Sequence, residues 1–281
     1  DSYFNFGVRD FALDCKDELK KIVKATKGAK DLNLHIRIST NNIYSKVNLS
    51  KKFGIDGQDA DILLKDSMQY SKNLGISFHV GSQCMSPNAY ADSINKVCSI
   101  LKKSKVKIKY FNIGGGFPGE YKGLEAPHLL EYLTLIKLEL NKNNITKSNI
   151  KILSEPGRVL VYNCMSMIVK VILKKENKLF INDGTHGYLA DSKRLGLIQP
   201  VRLFKKKTKA QLVPFSFFGQ TCDSNDFIEG PYYIPDSVKI DDLIEIDLMG
   251  AYTLTMKNDF NGFYSSPKVF IKETSSRRFV N

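Results

Sequence analysis

The chain has 281 residues, 42% hydrophobic and 25% charged, which is enough for one large or two smaller domains and ordinary for a soluble globular protein. Its 42 basic and 29 acidic residues leave a net charge of +13, but the charge is scattered and its densest run, Lys205-Lys206-Lys207 with Lys209, lacks the interleaved aromatics of a nucleic-acid platform; nucleic acid is set aside, and the basic surface reads as an attraction for anions, a phosphate cofactor included. No run approaches the roughly 18 apolar residues that span a bilayer, no basic-then-apolar leader opens the chain, and Cys15, Cys84, Cys98, Cys164 and Cys222 form no CxxC pair and have no histidine at zinc spacing, so a membrane, a metal and a disulfide framework give way to a reducing cytoplasm.

In chain order, short apolar runs alternate with helical stretches up to about residue 160. Asp10–Asp14, Leu34–Ser39, Ile76–Val80, Lys109–Ile113 and Ile150–Leu153 are short, rich in β-branched or aromatic residues, and read as buried strands. Between them, Ser86 is placed to cap a helix with Pro87 at its first position, and Tyr90, Ile94, Val97, Cys98 and Leu101 form one apolar face. A second helical stretch carries Leu129, Leu130, Tyr132, Leu133, Leu135 and Ile136, and is expected to be buried on more than one side. Alternating strand and helix implies a parallel sheet with right-handed crossovers. Five strands suit either part of a (β/α) barrel or an open doubly wound sheet, and the count alone does not choose. After about Leu160 the pattern changes: Ser166–Lys174, Leu179–Asp183, Gln211–Phe218, Leu243–Leu248 and Val269–Lys272 read as strands separated by turns, the pattern of an antiparallel β domain.

The polar and glycine-rich signals sit just after strands, where the C-terminal ends of parallel strands gather chemistry. Gly114-Gly115-Gly116-Phe117-Pro118-Gly119 lets backbone amides approach an anion closely, or marks a tight strand-to-helix turn; it is neither a Walker loop nor a dinucleotide fingerprint. Glu155-Pro156-Gly157-Arg158 offers an amide and a cation suited to phosphate, with a carboxylate facing the same mouth; a surface Glu–Arg pair is the bland alternative. His79, in the run His79-Val80-Gly81-Ser82-Gln83, follows a strand with Ser82 beside it. Cys222-Asp223 pairs a proton donor with a cation-binding carboxylate, although in isolation a buried cysteine in a turn is the better account of it. Gly250-Ala251-Tyr252-Thr253 and Phe260-Asn261-Gly262-Phe263 carry little alone.

Taken in order and spacing, HVGSQ, NIGGGFPG, EPGR, CDSND, GAYT and FNGF resemble the fold-III pyridoxal-phosphate decarboxylases. GGGFPG, CDS and FNGF together are similar to the ornithine decarboxylase branch. The resemblance runs from about Phe11 to Phe263 and implies an α/β fold: a partial (β/α)8 barrel of about five units over residues 1–161, then a β-sandwich or barrel-like antiparallel domain over 162–281. It implies pyridoxal 5'-phosphate as cofactor and decarboxylation of a basic amino acid, L-ornithine to putrescine in polyamine synthesis. By the same resemblance Gly114, Gly115, Gly116, Ser82, Gly157, Arg158 and Tyr252 match phosphate-binding positions. Glu155 matches the carboxylate that keeps the pyridine nitrogen protonated, His79 the imidazole stacked on the ring, and Arg37 an arginine on its other side. Cys222 matches the group that returns a proton to Cα, and Asp223 the carboxylate that takes the distal ammonium. The last two reach the site from a partner subunit, so a homodimer is implied.

Two departures stand out. The family's cofactor lysine lies on its first barrel strand in a Tyr-Ala-Val-Lys context that does not occur here, and the chain begins with Asp1; a fragment whose upstream strands carry that lysine is expected. A further acidic substrate residue is expected between Gly187 and Pro200, where the chain reads Tyr188-Leu189-Ala190-Asp191-Ser192-Lys193-Arg194; Asp191 is the substitute, and Arg194 opens the alternative of a carboxylate-bearing substrate such as diaminopimelate. Lysine or arginine would also suit as substrate, and the missing lysine leaves room for a non-catalytic regulatory homologue.

Overall fold

The computed structural model describes residues 1–204 and 210–263. The basic run at 205–209 and the expected strand Val269–Lys272 lie outside the described residues. The chain opens with helix α1 (Ser2–Asn5), strand β1 (Asp10–Leu13), α2 (Lys16–Ala25), β2 (Leu32–Ile38), β3 (Ser45–Val47), α3 (Gly57–Met68), β4 (Ser71–Phe78), β5 (Ser82–Cys84) and α4 (Asn88–Ser104). It continues through β6 (Tyr110–Asn112), α5 (Leu129–Lys142), β7 (Lys151–Leu153) and the single turn α6 (Arg158–Val161). Strands β1, β2, β4, β6 and β7 form one sheet in that order, every neighbouring pair parallel.

Strand order equal to chain order answers what the strand count left open. A doubly wound sheet reverses its order at a switch point, whereas here each unit adds to the same side, as a (β/α) barrel winds. The inner runs are buried, with Leu32, Leu34, Ile36 and Ile38 of β2 all at most 1% exposed, but the two edge strands depart from the expected burial: β1 buries only Leu13, and β7 is exposed along its length because no further strand covers that side among the described residues. Helix α4 docks through Tyr90, Ile94, Val97 and Cys98. Its start is one residue later than expected: Pro87 is the N-cap, and Ser86 Oγ accepts the Asn88 amide at 3.3 Å. Tyr90 and Tyr132, both fully buried, stand near Phe117, which stacks on Tyr90 at 4.9 Å. Their hydroxyls donate to Gly115 O (2.9 Å) and Cys84 O (2.7 Å), so the core reaches up and holds the loops above the sheet.

Helix α5 corrects an expectation. It buries Tyr132, Ile136 and Leu140 on one face, while Leu130, Leu133 and Leu138 are exposed. Its leucines are spread around more than one face, but only one face meets α4 and the sheet. Among the described residues no helix is long and apolar enough to cross a membrane.

The second sheet contains β8 (Met167–Lys175), β9 (Lys178–Ile181), β10 (Val201–Leu203), β11 (Leu212–Phe218), β12 (Phe227–Pro235) and β13 (Leu243–Ile246), with α7 (Ala190–Leu195) after β9. Its order is β10-β13-β8-β9-β11-β12. All pairs are antiparallel except β9–β11, a parallel pair inside the expected antiparallel domain. Val169, Val171, Leu179, Ile181, Phe217, Ile234 and Ile244 form its own apolar core. Two of its strands, β10 and β12, are not foreseen from the sequence. Gly230-Pro231 inside β12 reads as a turn, yet β12 is the sheet edge, where a residue without an N–H breaks no ladder.

Candidate active site

The glycine run after β6 is first of all a packing requirement. A Cβ on Gly114 would overlap the Phe78 carbonyl oxygen, one on Gly115 that of Glu155, and one on Gly116 that of Gly81. Gly114 and Gly116 also take φ of +66° and +105°, which L side chains adopt only under strain. The three glycines thus draw the ends of β4, β6 and β7 together. Among the described residues the amides of Gly115, Gly116 and Gly157 donate to no protein acceptor. The tight turn is therefore what the structure shows, and it leaves amides without a protein acceptor beside it.

Around these strand ends is a cavity of about 230 Å³, lined by His79, Ser82, Gly116, Glu155, Gly157, Arg158, Asp191, Arg194 and Tyr252, with Val47, Leu49 and Phe117. Gly114 and Gly115 are not among the lining residues. Arg37, at the end of β2, is not among the lining residues; its guanidinium lies over the Phe53 ring at 4.8 Å. Burial pushes the Arg37 pKa down, while Glu155 and Asp14 oppose that shift. The Gly81 amide donates to His79 Nδ1 at 3.0 Å, which leaves the other ring nitrogen to carry the proton. Burial, then the Arg37 charge, push the His79 pKa down to about 4 against the pull of Glu155. His79 is therefore a neutral ring at neutral pH. Asn112 opens the NIGGGFPG motif but is assigned no role from the sequence. It is buried, donates to Glu155 Oε1 at 2.9 Å and accepts from the Gly114 amide at 2.8 Å, so one side chain sets both the carboxylate and the glycine turn.

Arg158 is 4% exposed and Asp191 also 4%. Arg158 Nη1 lies 2.8 Å from Asp191 Oδ2 and donates to Tyr121 Oη at 3.2 Å. The guanidinium stands over the Tyr252 ring at 4.7 Å. Burial opposes its charge, but Asp191 and Tyr121 more than offset that and raise the Arg158 pKa. Tyr252 itself takes φ +55°, uncommon for a non-glycine and found where function holds a residue in place. The carboxylate of Asp191 is thus engaged by Arg158 rather than standing free for a substrate ammonium. Arg158 Nε is buried with no partner among the described residues, a donor that native interiors rarely leave unmatched.

Cys222 and Asp223 are not among the residues that line this cavity. They lie with the turn at Phe260–Gly262: the Cys222 amide donates to Asn261 Oδ1 at 3.1 Å, and Asp223 Oδ2 lies 2.8 Å from His186 Nε2. Asp226 anchors the loops that carry them. Its oxygens accept from the amides and hydroxyls of both Thr185 and Thr221, and Gly184 and Gly219 leave no room there for a Cβ. Asp183 Oδ1 accepts from the Gly184 and Tyr188 amides at 2.7 and 2.8 Å, which gives a structural role to a residue that the sequence leaves without one.

Asp183 and His79 make a testable pair. Burial raises the Asp183 pKa to about 6 from 3.8, against the pull of its backbone donors. Between those values the folded chain holds a proton the unfolded chain has lost, so this group's contribution to stability falls as pH rises from 4 to 6. His79 has the opposite sign: between 4 and 6.5 the unfolded chain holds the extra proton, so its contribution rises with pH. Each spans about 3 kcal/mol at 1.36 kcal/mol per pKa unit, and they oppose each other in one window. Asp183→Asn, which keeps an oxygen for both amides, is expected to rise in stability from pH 4 to 6 by about 3 kcal/mol more than the parent. Urea unfolding across that range measures this, and parallel curves would refute it.

One strand-end cavity is lined by Glu155, Arg158, the neutral His79 ring and the glycines Gly116 and Gly157, whose amides have no protein acceptor among the described residues, a combination chemically compatible with a phosphate-bearing aromatic group. The chain belongs to the pyridoxal-dependent decarboxylases: the family model for their pyridoxal-binding domain matches residues 3–162. It is 29% identical over 289 residues to a probable ornithine decarboxylase of Dictyostelium discoideum, covering 94% of this chain and 61% of that protein. It is likewise 29% identical over 283 residues to antizyme inhibitor 2 of Xenopus laevis, covering 93% and 60%. Its fold matches the arginine decarboxylase of Paramecium bursaria Chlorella virus with a TM-score of 0.81 at 25% identity, over 92% of this chain and 70% of that one. It also matches a lysine/ornithine decarboxylase of Vibrio vulnificus complexed with cadaverine, with a TM-score of 0.79 at 26% identity, over 96% and 71%. The chain spans about 60% of the length of these two curated relatives.

Proposed function

We propose that the full-length protein is a pyridoxal-phosphate-dependent decarboxylase of a basic amino acid, with L-ornithine, giving putrescine, as the first assignment and lysine or arginine as alternatives. The observation that carries this reading is the meeting of Glu155, neutral His79 and buried Arg158 around one cavity floored by free amides. The residues present fit the cofactor. Arg158, Ser82, Tyr252 and the amides of Gly116 and Gly157 would hold its phosphate, with Gly114 and Gly115 shaping the turn. Glu155, aimed by Asn112, would hold the proton on its ring nitrogen, and His79 would lie against the ring face. A neutral imidazole suits that place because a cationic one would repel a protonated ring. Arg37, which is not among the lining residues, would act on the ring only through its charge, which couples to Glu155 and His79. The bound cofactor supplies an electron sink for the pair left on Cα when carbon dioxide departs.

Cys222 would return the proton at Cα, and Asp223 would take the distal ammonium. Both stand apart from the cavity within one chain, and this supports a homodimer in which each subunit lends its 222–223 loop to its partner's cavity. With Asp191 engaged by Arg158, selectivity for a distal cation falls to Asp223. The antizyme inhibitor relative favours a second reading, a non-catalytic partner-binding protein. Release of carbon dioxide from carboxyl-labelled ornithine, lysine, arginine and diaminopimelate by the full-length protein separates them. Turnover of a diamino acid, fastest with ornithine, is expected; a protein that takes up pyridoxal phosphate yet releases carbon dioxide from none would refute catalysis and leave the binding reading standing.

A further inference from the structure

We infer that His186 is the positioning residue of the distal-ammonium site, fixing the carboxylate of Asp223 so that its free edge meets the end of a diamino acid substrate; this rests on the reading of Asp223 given above. Asp223 is a surface carboxylate, its side chain 29% exposed, and such a group ordinarily samples several rotamers. Here both oxygens are held. Oδ1 accepts the Asn225 amide at 2.9 Å and Oδ2 meets His186 Nε2 at 2.8 Å. A carboxylate offers about four lone-pair sites, and the backbone and side chain of Asn225 together with His186 do not fill them all, which leaves room for an ammonium.

His186 can orient Asp223 because it is itself held. Its ring stacks on Phe260 at 4.4 Å and 25°, and its carbonyl accepts the Asn258 amide at 3.1 Å. The loop beneath it is tied down by Asp183 and by Asp226, whose four donors come from both sides. His186 is thus the point where three loops meet: its own, the Cys222–Asp223 loop and the Phe260 turn. Of the other charges around these loops, Lys257 and Asp259 face each other at 3.4 Å, and Asp183 and Asp226 are taken up by loop amides and threonine hydroxyls. A tight turn such as Gly184–Gly187 needs no imidazole for its shape, whereas an imidazole with one nitrogen on the carboxylate that selects the substrate has a task there.

The test uses the full-length enzyme with the diamino acid it turns over best and with norleucine, which lacks the distal ammonium. His186→Leu keeps an apolar contact for Phe260 but removes the donor; the KM for the diamino acid is expected to rise about three- to tenfold, the range of one lost hydrogen bond. Turnover at saturation, pyridoxal phosphate affinity and the KM for norleucine should change by less than about twofold. His186→Gln, which restores a donor to Asp223, should recover most of the loss. An unchanged diamino acid KM, an equal rise for norleucine, or a Gln variant no better than Leu overturns the inference. Asp223→Ala is the control for the reading beneath it: if that variant does not selectively weaken the diamino acid, Asp223 is not the ammonium acceptor and both fall together.

Discussion

Asp191→Ala is expected to lower the unfolding free energy by about 3–5 kcal/mol, the range for breaking one side of a buried ion pair, and at the same time to enlarge the stabilisation that pyridoxal phosphate confers. The two halves come from one fact. Arg158 and Asp191 are each 4% exposed and 2.8 Å apart, so removing the carboxylate leaves a guanidinium out of water with only Tyr121 and the Tyr252 ring for company. In the parent, a phosphate approaching Arg158 meets a cation already neutralised by Asp191. In the variant it meets an unpaired one, and the phosphate supplies the missing charge. Arg158→Ala with Asp191→Ala should recover much of the stability of the single variant but lose the gain from the cofactor. Urea unfolding with and without pyridoxal phosphate, over the four members of that cycle, measures both terms. A single variant as stable as the parent, or one stabilised less by the cofactor, would contradict this account of the pair.

That pair also marks the limit of what the chain's sequence discloses. The strands β1, β2, β4, β6 and β7 were legible because each is a short apolar run between helical stretches, although only the inner ones are buried and the edge strand β7 is exposed along its length, and the motifs after them fell at their ends as parallel topology requires. Arg158, Glu155 and His79 were legible for the same reason. Tyr121 was not, because a tyrosine in a loop carries no periodic signal, and Asn112, though it opens the NIGGGFPG motif, gave no hint of its task; only the fold shows Asn112 orienting Glu155 and Tyr121 holding Arg158. His186 is a lone histidine in a turn, and nothing along the chain joins it to Asp223, 37 positions away. Asp191 was legible as an acid in the right stretch but not as the partner of Arg158, since its partner is set by how α7 meets α6. Strand β12 was hidden by Gly230-Pro231, whose turn-like spelling an edge strand tolerates.

Glu155→Gln should leave the fold and cofactor uptake near those of the parent while lowering the turnover number for decarboxylation by about 10²- to 10⁴-fold, the range for a group that holds a proton through the reaction. The geometry separates shape from charge. Asn112 Nδ2 donates to Glu155 Oε1 at 2.9 Å, and a glutamine keeps an oxygen for that bond, so the side chain stays in place. What it loses is the negative charge. Arg37 and His79 both feel that charge, the first as support for its own and the second as the pull that opposes its lowered pKa. Without it the Arg37 guanidinium is balanced by Asp14 alone, and a ring nitrogen there shifts toward its unprotonated form. An unprotonated ring is a poor electron sink, so the loss should appear in turnover rather than in KM. Asn112→Ala should cost about tenfold or less, because it frees the carboxylate without removing it. Steady-state kinetics of the two variants beside the parent checks the order. A glutamine variant that keeps its turnover, or an alanine at 112 that costs more than the glutamine at 155, would mean that the carboxylate is there for the shape of the glycine turn and not for the proton.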